Sequence, residues 1–418
     1  MLESVEGSEK VSRYSLIGAD PISKVICKEG SIKIDESEAE CYKAYDVFKD
    51  HFLSFSCGSS DIAPFTGGFV GYIGYGMVRE FEGIEQPADD LGIPDMCFML
   101  PRHLICVDHL NELTYLISHD DIDDLKGSIS DMDSIEECHV GIGERQPHIR
   151  QDEFEEIVRR AKESILDGEV FQVVPSRSVD FDLRGDPFQM YLALRSVNPS
   201  PYLFYMDFGE TKLIGSSPEM LVRLEDGLLT TRPLAGTRPR HSNVEEDEKL
   251  KIDMLLDEKE RAEHLMLVDL HRNDMGRVSR TGSVKVTELM NVEKFSHVQH
   301  IVSNIESEIL PDRDAFDALK ACFPAGTVTG APKIRAMQLI SELESRGRGP
   351  YAGAAGYFDF NGNMDFGIVI RSIVLKGERG RVQAGAGVVH DSVPSCEYLE
   401  TERKMEALLM ALSMKEGS

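Results

Sequence analysis

Residues 152–174 read DEFEEIVRRAKESILDGEVFQVV. Phe154, Ile157, Val158, Ala161 and Ile165 recur at three- and four-residue spacing, which puts them on one face of a helix, and Asp167-Gly168 stops it. Val170-Phe171-Gln172-Val173-Val174 then reads as a strand. Toward the N-terminus the strand-like runs are Arg13–Gly18, Gly67–Tyr75 and Thr114–Ser118. Toward the C-terminus, strand-like Tyr202–Met206 and Lys212–Ile214 precede three long helical patterns, about Glu245 to Leu270, Pro332 to Ser345 and Pro394 to Met414. Strands and helices mix without a regular alternation. That order predicts an α+β fold, a β-sheet core flanked by helices, rather than a barrel or a dinucleotide fold.

Between these halves lies DDIDDLKGSISDMDSIEE, residues 120–137, with eight acidic side chains and one lysine. It reads as a solvated loop and as a boundary between a smaller domain, 1–145, and a larger one, 146–418. The whole chain of 418 residues carries 73 acidic against 45 basic side chains, a net charge of −28. Such a field repels phosphate backbones and anionic lipid surfaces, so neither nucleic acid nor membrane is an expected partner. A small anionic substrate would need positive charge supplied locally, by a metal ion or a few Arg and Lys side chains.

No apolar run approaches a membrane span, and Met1–Glu6 has neither a basic nor an apolar leader region, so a cytoplasmic protein is expected. The eight cysteines, at 27, 41, 57, 97, 106, 138, 322 and 396, form no C-x-x-C pair and read as reduced, mostly structural thiols.

Two E-x-x-E spacings carry the densest chemistry: Glu260 with Glu263, and Glu397 with Glu400. Residues three apart share a helical face, so two such helices facing one cleft would gather four carboxylates suited to Mg²⁺. Two solvated acidic faces in an acidic protein fit the spacing as well. Glu263 is followed by the apolar run Leu265-Met266-Leu267-Val268, and a buried carboxylate needs a partner or a metal. Lys404 lies one turn beyond Glu400 on the same face.

The loop Phe323–Lys333 is superficially like a phosphate loop, but three residues rather than four separate its glycines, and Lys333 follows Ala-Pro. It could hold an anion at the following helix start or be purely structural. Gly385-Ala386-Gly387 could let a carboxylate approach the backbone, or serve close strand packing. Arg371, at the end of the apolar run 367–370, calls for an anionic partner.

Taken together, these segments and a series of others in the same order make the chain resemble the chorismate-utilising enzymes, most closely the large subunits of anthranilate synthases. The others include Gly168–Val174, Asn198–Tyr202, Gly215–Glu219, Arg232–Arg240, Ala262–Asp274, Val298–Ser303, Gly349–Gly353 and Asp391–Pro394. The resemblance implies a large chorismate-binding domain and a smaller regulatory, tryptophan-binding domain, with the active site in the cleft between. It implies Mg²⁺-dependent addition of ammonia to chorismate at C2 with loss of the C4 hydroxyl, then elimination of pyruvate to give anthranilate, the first committed step of tryptophan biosynthesis.

Carried over position by position, Glu263 and Glu400 correspond to direct Mg²⁺ ligands, and Glu260 and Glu397 to ligands acting through water. Gly236 and Thr237 correspond to ring-side contacts, and Tyr351 and Arg371 to contacts with the enolpyruvyl carboxylate. Gly385, Ala386 and Gly387 correspond to its backbone cradle, and Lys404 assists at the ring carboxylate. Glu219 matches a general acid for the departing hydroxyl. His300 matches the group tied to pyruvate elimination, although a lone His on an apolar strand is more often a satisfied core residue. Gln172 and Ala235 stand where sibling enzymes carry lysines, in salicylate and isochorismate synthases and in aminodeoxychorismate synthase respectively. With neither amine present, ammonia is the consistent nucleophile.

The chain shows no glutamine-hydrolysing module, so the resemblance implies a separate glutamine amidotransferase subunit. It also implies feedback by tryptophan, bound by Ser4 and by Pro201, Tyr202 and Leu203. The alternatives are a sibling with another product and a catalytically silent tryptophan-sensing subunit.

Overall fold

The computed structural model describes residues 1–4, 13–55, 63–130, 140–295 and 298–413. Cys57, Cys138 and the end of the last helical pattern at Met414 fall outside the described residues. The six described cysteines are all free thiols.

Among the described residues, alternating apolar residues in long strands build one antiparallel sheet system of 21 strands. Tyr14–Lys28 runs against Met96–Asp108 from Tyr14 opposite Asp108 to Cys27 opposite Met96. Gly68–Ile73 follows, with Val70 opposite Met99, and then Ala354–Asp359, with Gly356 opposite Gly71. A second path runs from Ser176–Arg184 through Arg379–Gly385, Ser372–Lys376, Thr211–Ser217 and Tyr202–Asp207 to Leu2–Glu3. Ladders therefore cross between the first 145 residues and the rest. So does the main apolar core, where Phe48, Phe69 and Phe98 pack with Phe316, Phe358 and Phe366. The Phe316 and Phe358 rings stack with centroids 4.1 Å apart. Each such ring withdrawn from water contributes about 1.5–3 kcal/mol, which makes this shared cluster a strong tie between early and late sequence.

Two local readings are corrected. The acidic run beyond residue 120 contains a helix, Ile122–Ser130, rather than only loop. Leu125 is buried there, Asp121 accepts a bond from Asp123 N at 3.0 Å, and the helix packs on the strand Leu113–Ser118. One inward leucine outweighs acidic side chains that reach solvent anyway. The pattern from Glu245 to Leu270 divides into helices Val244–Leu256 and Glu258–Gly276. Asp257 causes the break: its extended backbone (ψ 112°) ends one helix, and its carboxylate accepts from Lys259 N and Glu260 N of the next.

Helices Lys333–Leu343 and Pro394–Ser413 fall within their expected bounds. Pro394–Ser413 packs against Gln151–Leu166 and the strand Arg379–Gly385, while Glu258–Gly276 packs against the strands Leu234–Pro239 and Val298–Glu308. The residues of interest ride on these two helices and the strands beneath them.

Candidate active site

A cavity of about 230 Å³ is lined by Gln172, Glu219, Glu263, His300, Arg371 and Glu400, among others. Six residues spread over 229 positions of sequence, counting from 172 to 400, thus share one space. Tyr351, Thr237, Gly385, Gly387 and Lys404 also face it.

Glu263 projects from the Glu258–Gly276 helix and accepts a bond from Gln172 Nε2 at 2.8 Å. Burial pushes its carboxyl above the usual range; the Gln172 bond pulls it down, and the nearby charges of Glu260 and Glu400 push it up further. Glu400 comes from the Pro394–Ser413 helix and pairs with Lys404 at 2.7 Å. Lys404 Nζ also donates to Gly385 O at 2.9 Å.

Glu260 points aside to Arg238, 3.0 Å away, and is not among the cavity-lining residues. Glu397 does not line the cavity either; burial raises its carboxyl, Ser392 lowers it, and the charge of Glu400 raises it further. Among the described residues, no three His, Cys, Asp or Glu side chains form a ready-made metal cage. Glu263, raised by burial and then by its carboxylate neighbours, and Glu400 are two hard oxygen donors in one cavity, a set that could hold Mg²⁺. That ion takes one or two protein carboxylates and completes its shell with water and substrate oxygens.

Glu219 is 5% exposed, and its Oε1 has no hydrogen-bond partner. Burial raises it to about 8, against the pull of Thr327, Arg371 and Lys404, so it is mostly protonated at neutral pH. His300 lies on the strand Val298–Glu308. Its Nδ1 is 2.8 Å from Gly236 O and 3.2 Å from Thr237 Oγ1, and its buried Nε2 has no partner. A carbonyl oxygen only accepts, so Nδ1 carries the proton and Nε2 keeps its lone pair. Burial lowers the imidazole to about 4, leaving it neutral at pH 7. The site thus holds a protonated acid and an unprotonated base at once.

Gly236 is left-handed (φ 64°), and a Cβ there would meet Glu260 Oε2 at 3.1 Å. Its carbonyl orients His300; the residue itself does not line the cavity, whereas Thr237 does. Arg371 also has positive φ, 48°. Burial lowers the guanidinium and Glu219 raises it, but it stays cationic. Of the three residues expected to form a backbone cradle, Gly385 and Gly387 face the cavity, whereas Ala386 is buried and spends its N–H on Pro175 O at 3.1 Å. A Cβ at Gly387 would fall 2.8 Å from Gln172 Nε2.

Sequence reasoning passed over Thr327, Gln383 and Val174, which also line the cavity. Thr327 had one visible signal: it sits in the glycine loop 323–333. Lys333 of that loop is buried against Asp274 at 2.5 Å and Cys322 O at 3.1 Å, so it holds the fold rather than an anion.

Ser4, Pro201, Tyr202 and Leu203 meet elsewhere, around a second cavity of about 390 Å³. Tyr202 Oη donates to Asp365 at 2.8 Å and Arg223 Nε to the same carboxylate at 2.9 Å. Among the described residues, no helix is long and apolar enough to cross a membrane.

Residues 2–410 match the chorismate binding enzyme family. Anthranilate synthase component 1 of Methanothermobacter marburgensis is 46% identical over 99% of this chain and 89% of its own length, and that of Acetivibrio thermocellus 44% over the same shares. The crystal structure of anthranilate synthase component I from Streptococcus pneumoniae TIGR4 superposes with a TM-score of 0.88 at 38% identity, covering 97% of this chain and 95% of that one. The menaquinone-specific isochorismate synthase of Escherichia coli, at 22% identity and TM-score 0.76 over 98% of this chain and 87% of that one, shares the fold. The chain belongs to the chorismate binding enzymes, in the group of the anthranilate synthase component 1 proteins.

Proposed function

We propose that the chain converts chorismate and ammonia to anthranilate and pyruvate with Mg²⁺ as cofactor, paired with a glutamine amidotransferase subunit that supplies the ammonia and restrained by tryptophan. The observation that carries the reading is the coexistence in one cavity of a protonated Glu219, an unprotonated His300 Nε2, cationic Arg371 and the carboxylates Glu263 and Glu400.

Glu263 and Glu400 would hold the ion, which when bound neutralises and polarises the ring carboxylate as a Lewis acid. Arg371 and Tyr351, with the Gly385 and Gly387 backbone, receive the enolpyruvyl carboxylate. Glu219 gives its proton to the C4 hydroxyl, which leaves as water while ammonia bonds to C2 and loses a proton. His300 Nε2 then takes the C2 proton as the C3–O bond breaks; the ring becomes aromatic, and the enolpyruvyl fragment picks up a proton to depart as pyruvate. Gln172, an amide that cannot take a proton from water, leaves ammonia as nucleophile. The relatives' designation as component 1 supports a partner component, and the cavity beside Ser4 and Tyr202 is the proposed tryptophan site.

The test is to incubate the purified chain with chorismate, Mg²⁺ and ammonium, with and without chelator and tryptophan, and follow anthranilate fluorescence. Anthranilate formation that stops with chelator is expected. Release of 4-amino-4-deoxychorismate or salicylate moves the chain to a sibling activity, and absence of turnover sinks the catalytic reading.

A further inference from the structure

Behind the cavity wall lies a charged pair that the reaction as outlined does not use. Arg348 is 4% exposed and Glu344 9%. The guanidinium holds the carboxylate by two bonds, Nε to Oε2 at 2.9 Å and Nη2 to Oε1 at 2.6 Å. Its other bonds go to backbone: Nη1 donates to Val328 O at 2.9 Å and Nη2 to Val174 O at 2.7 Å. Both valines line the active-site cavity.

The guanidinium carbon also lies 4.6 Å from the Tyr75 ring centroid and 5.7 Å from that of Tyr351, whose own N–H donates to Arg348 O at 3.2 Å. Glu344 Oε1 reaches the opposite way, accepting from Ser176 N at 2.7 Å and Ser176 Oγ at 2.9 Å. Ser176 is the ladder partner of Gly385, and its Oγ accepts from Gln383 Nε2 at 2.8 Å. One buried ion pair therefore ties together four stretches of cavity wall: Val174–Ser176, Val328, Tyr351 and Gln383–Gly385.

Stability alone accounts poorly for such a pair. Removing two charges from water costs much of what their attraction returns, and apolar replacements of the same volume are often neutral or better. A planar fork that binds one carboxylate and two carbonyls at fixed angles does something apolar packing cannot: it fixes the angles and distances between separate stretches of the cavity wall. We infer that Arg348 and Glu344 are positioning residues that hold Tyr351 and the Gly385–Gly387 backbone at the spacing that receives a substrate carboxylate. This rests on the proposed reaction, in which that carboxylate belongs to the enolpyruvyl group. Neither residue touches the reacting atoms; both act through the groups that do.

The experiment uses the full chain with Arg348→Lys, Glu344→Gln and the double variant Arg348→Met/Glu344→Gln. Rates of anthranilate formation are measured against chorismate, ammonium and Mg²⁺ separately, alongside thermal unfolding. Lysine keeps the charge but not the fork, and the double variant leaves no buried charge unpaired. In both, the KM for chorismate rises about tenfold or more, while the KM for ammonium and the Mg²⁺ concentration for half activation stay within about twofold. Glu344→Gln gives a smaller rise of the same kind. Variants that melt earlier but keep the wild-type KM for chorismate overturn the inference. Failure of the wild-type chain to turn over chorismate would defeat the proposed function; normal wild-type turnover with unmoved KM in the variants defeats the positioning role alone.

Discussion

The cavity of about 390 Å³ beside Ser4 and Tyr202 is roomier than the 230 Å³ cavity around Glu263 and His300, yet its two arginines and Glu3 are paired in place. Arg13 grips Asp108 at 2.6 Å, Arg223 grips Asp365 at 2.6 Å, and Glu3 takes bonds from Arg195 and Ser15. In the smaller cavity Glu219 Oε1 and His300 Nε2 are buried without partners among the described residues, and the two facing carboxylates, Glu263 and Glu400, bond to Gln172 and Lys404. Polar atoms left unsatisfied cost free energy that a merely structural pocket has no reason to bear. Under the proposed function the difference separates a space prepared for chemistry from one fit for recognition, and volume points the wrong way.

The contrast breaks most readily at the carboxylates. Glu263→Gln or Glu400→Gln lowers anthranilate formation by more than about 100-fold in a chain that still melts cooperatively; near-normal rates in either would remove the Mg²⁺ assignment. Glu219→Gln costs roughly 10²–10⁴-fold, the range for a lost general acid. In the unaltered chain at constant free ammonia, kcat/KM for chorismate falls as pH rises through about 8, because Glu219 then ionises, while His300 becomes protonated only near about 4. An alkaline limb that persists in Glu219→Gln would assign it to another group. His300→Met slows pyruvate release more than amination, so quenched reactions analysed by chromatography should accumulate the amino intermediate; equal slowing of both steps counts against the base. The smallest effect belongs to the larger cavity: Ser4→Ala raises the tryptophan concentration for half inhibition by about fivefold. An unmoved inhibition curve would take Ser4 out of the effector site.

Helix–strand identity was largely legible where apolar spacing is strong, as in Gln151–Leu166 and Gly68–Ile73. It failed where charge hid the signal. Around Leu125 the acidic side chains outvote one buried leucine in any reading by composition, although only the leucine packs. At Asp257 an apolar rhythm runs past the break, and only the backbone turn shows the aspartate serving as a cap. At the site, i to i+3 spacing correctly put Glu260 near Glu263 on one face, but it could not show that Arg238 draws Glu260 away. Arg348 was invisible for a similar reason: a basic residue in a glycine-rich stretch looks solvated until its four acceptor contacts exist.

By itself the sequence determined the residue types, the periodicities that make strands and helices, and the two pairs of carboxylates on helical faces, because these depend on neighbours within a few positions. Only the tertiary structure decided which of those groups meet, which lose their water and which find partners. Protonation at Glu219 and its absence at His300 come from burial among residues hundreds of positions apart, and no local pattern encodes that.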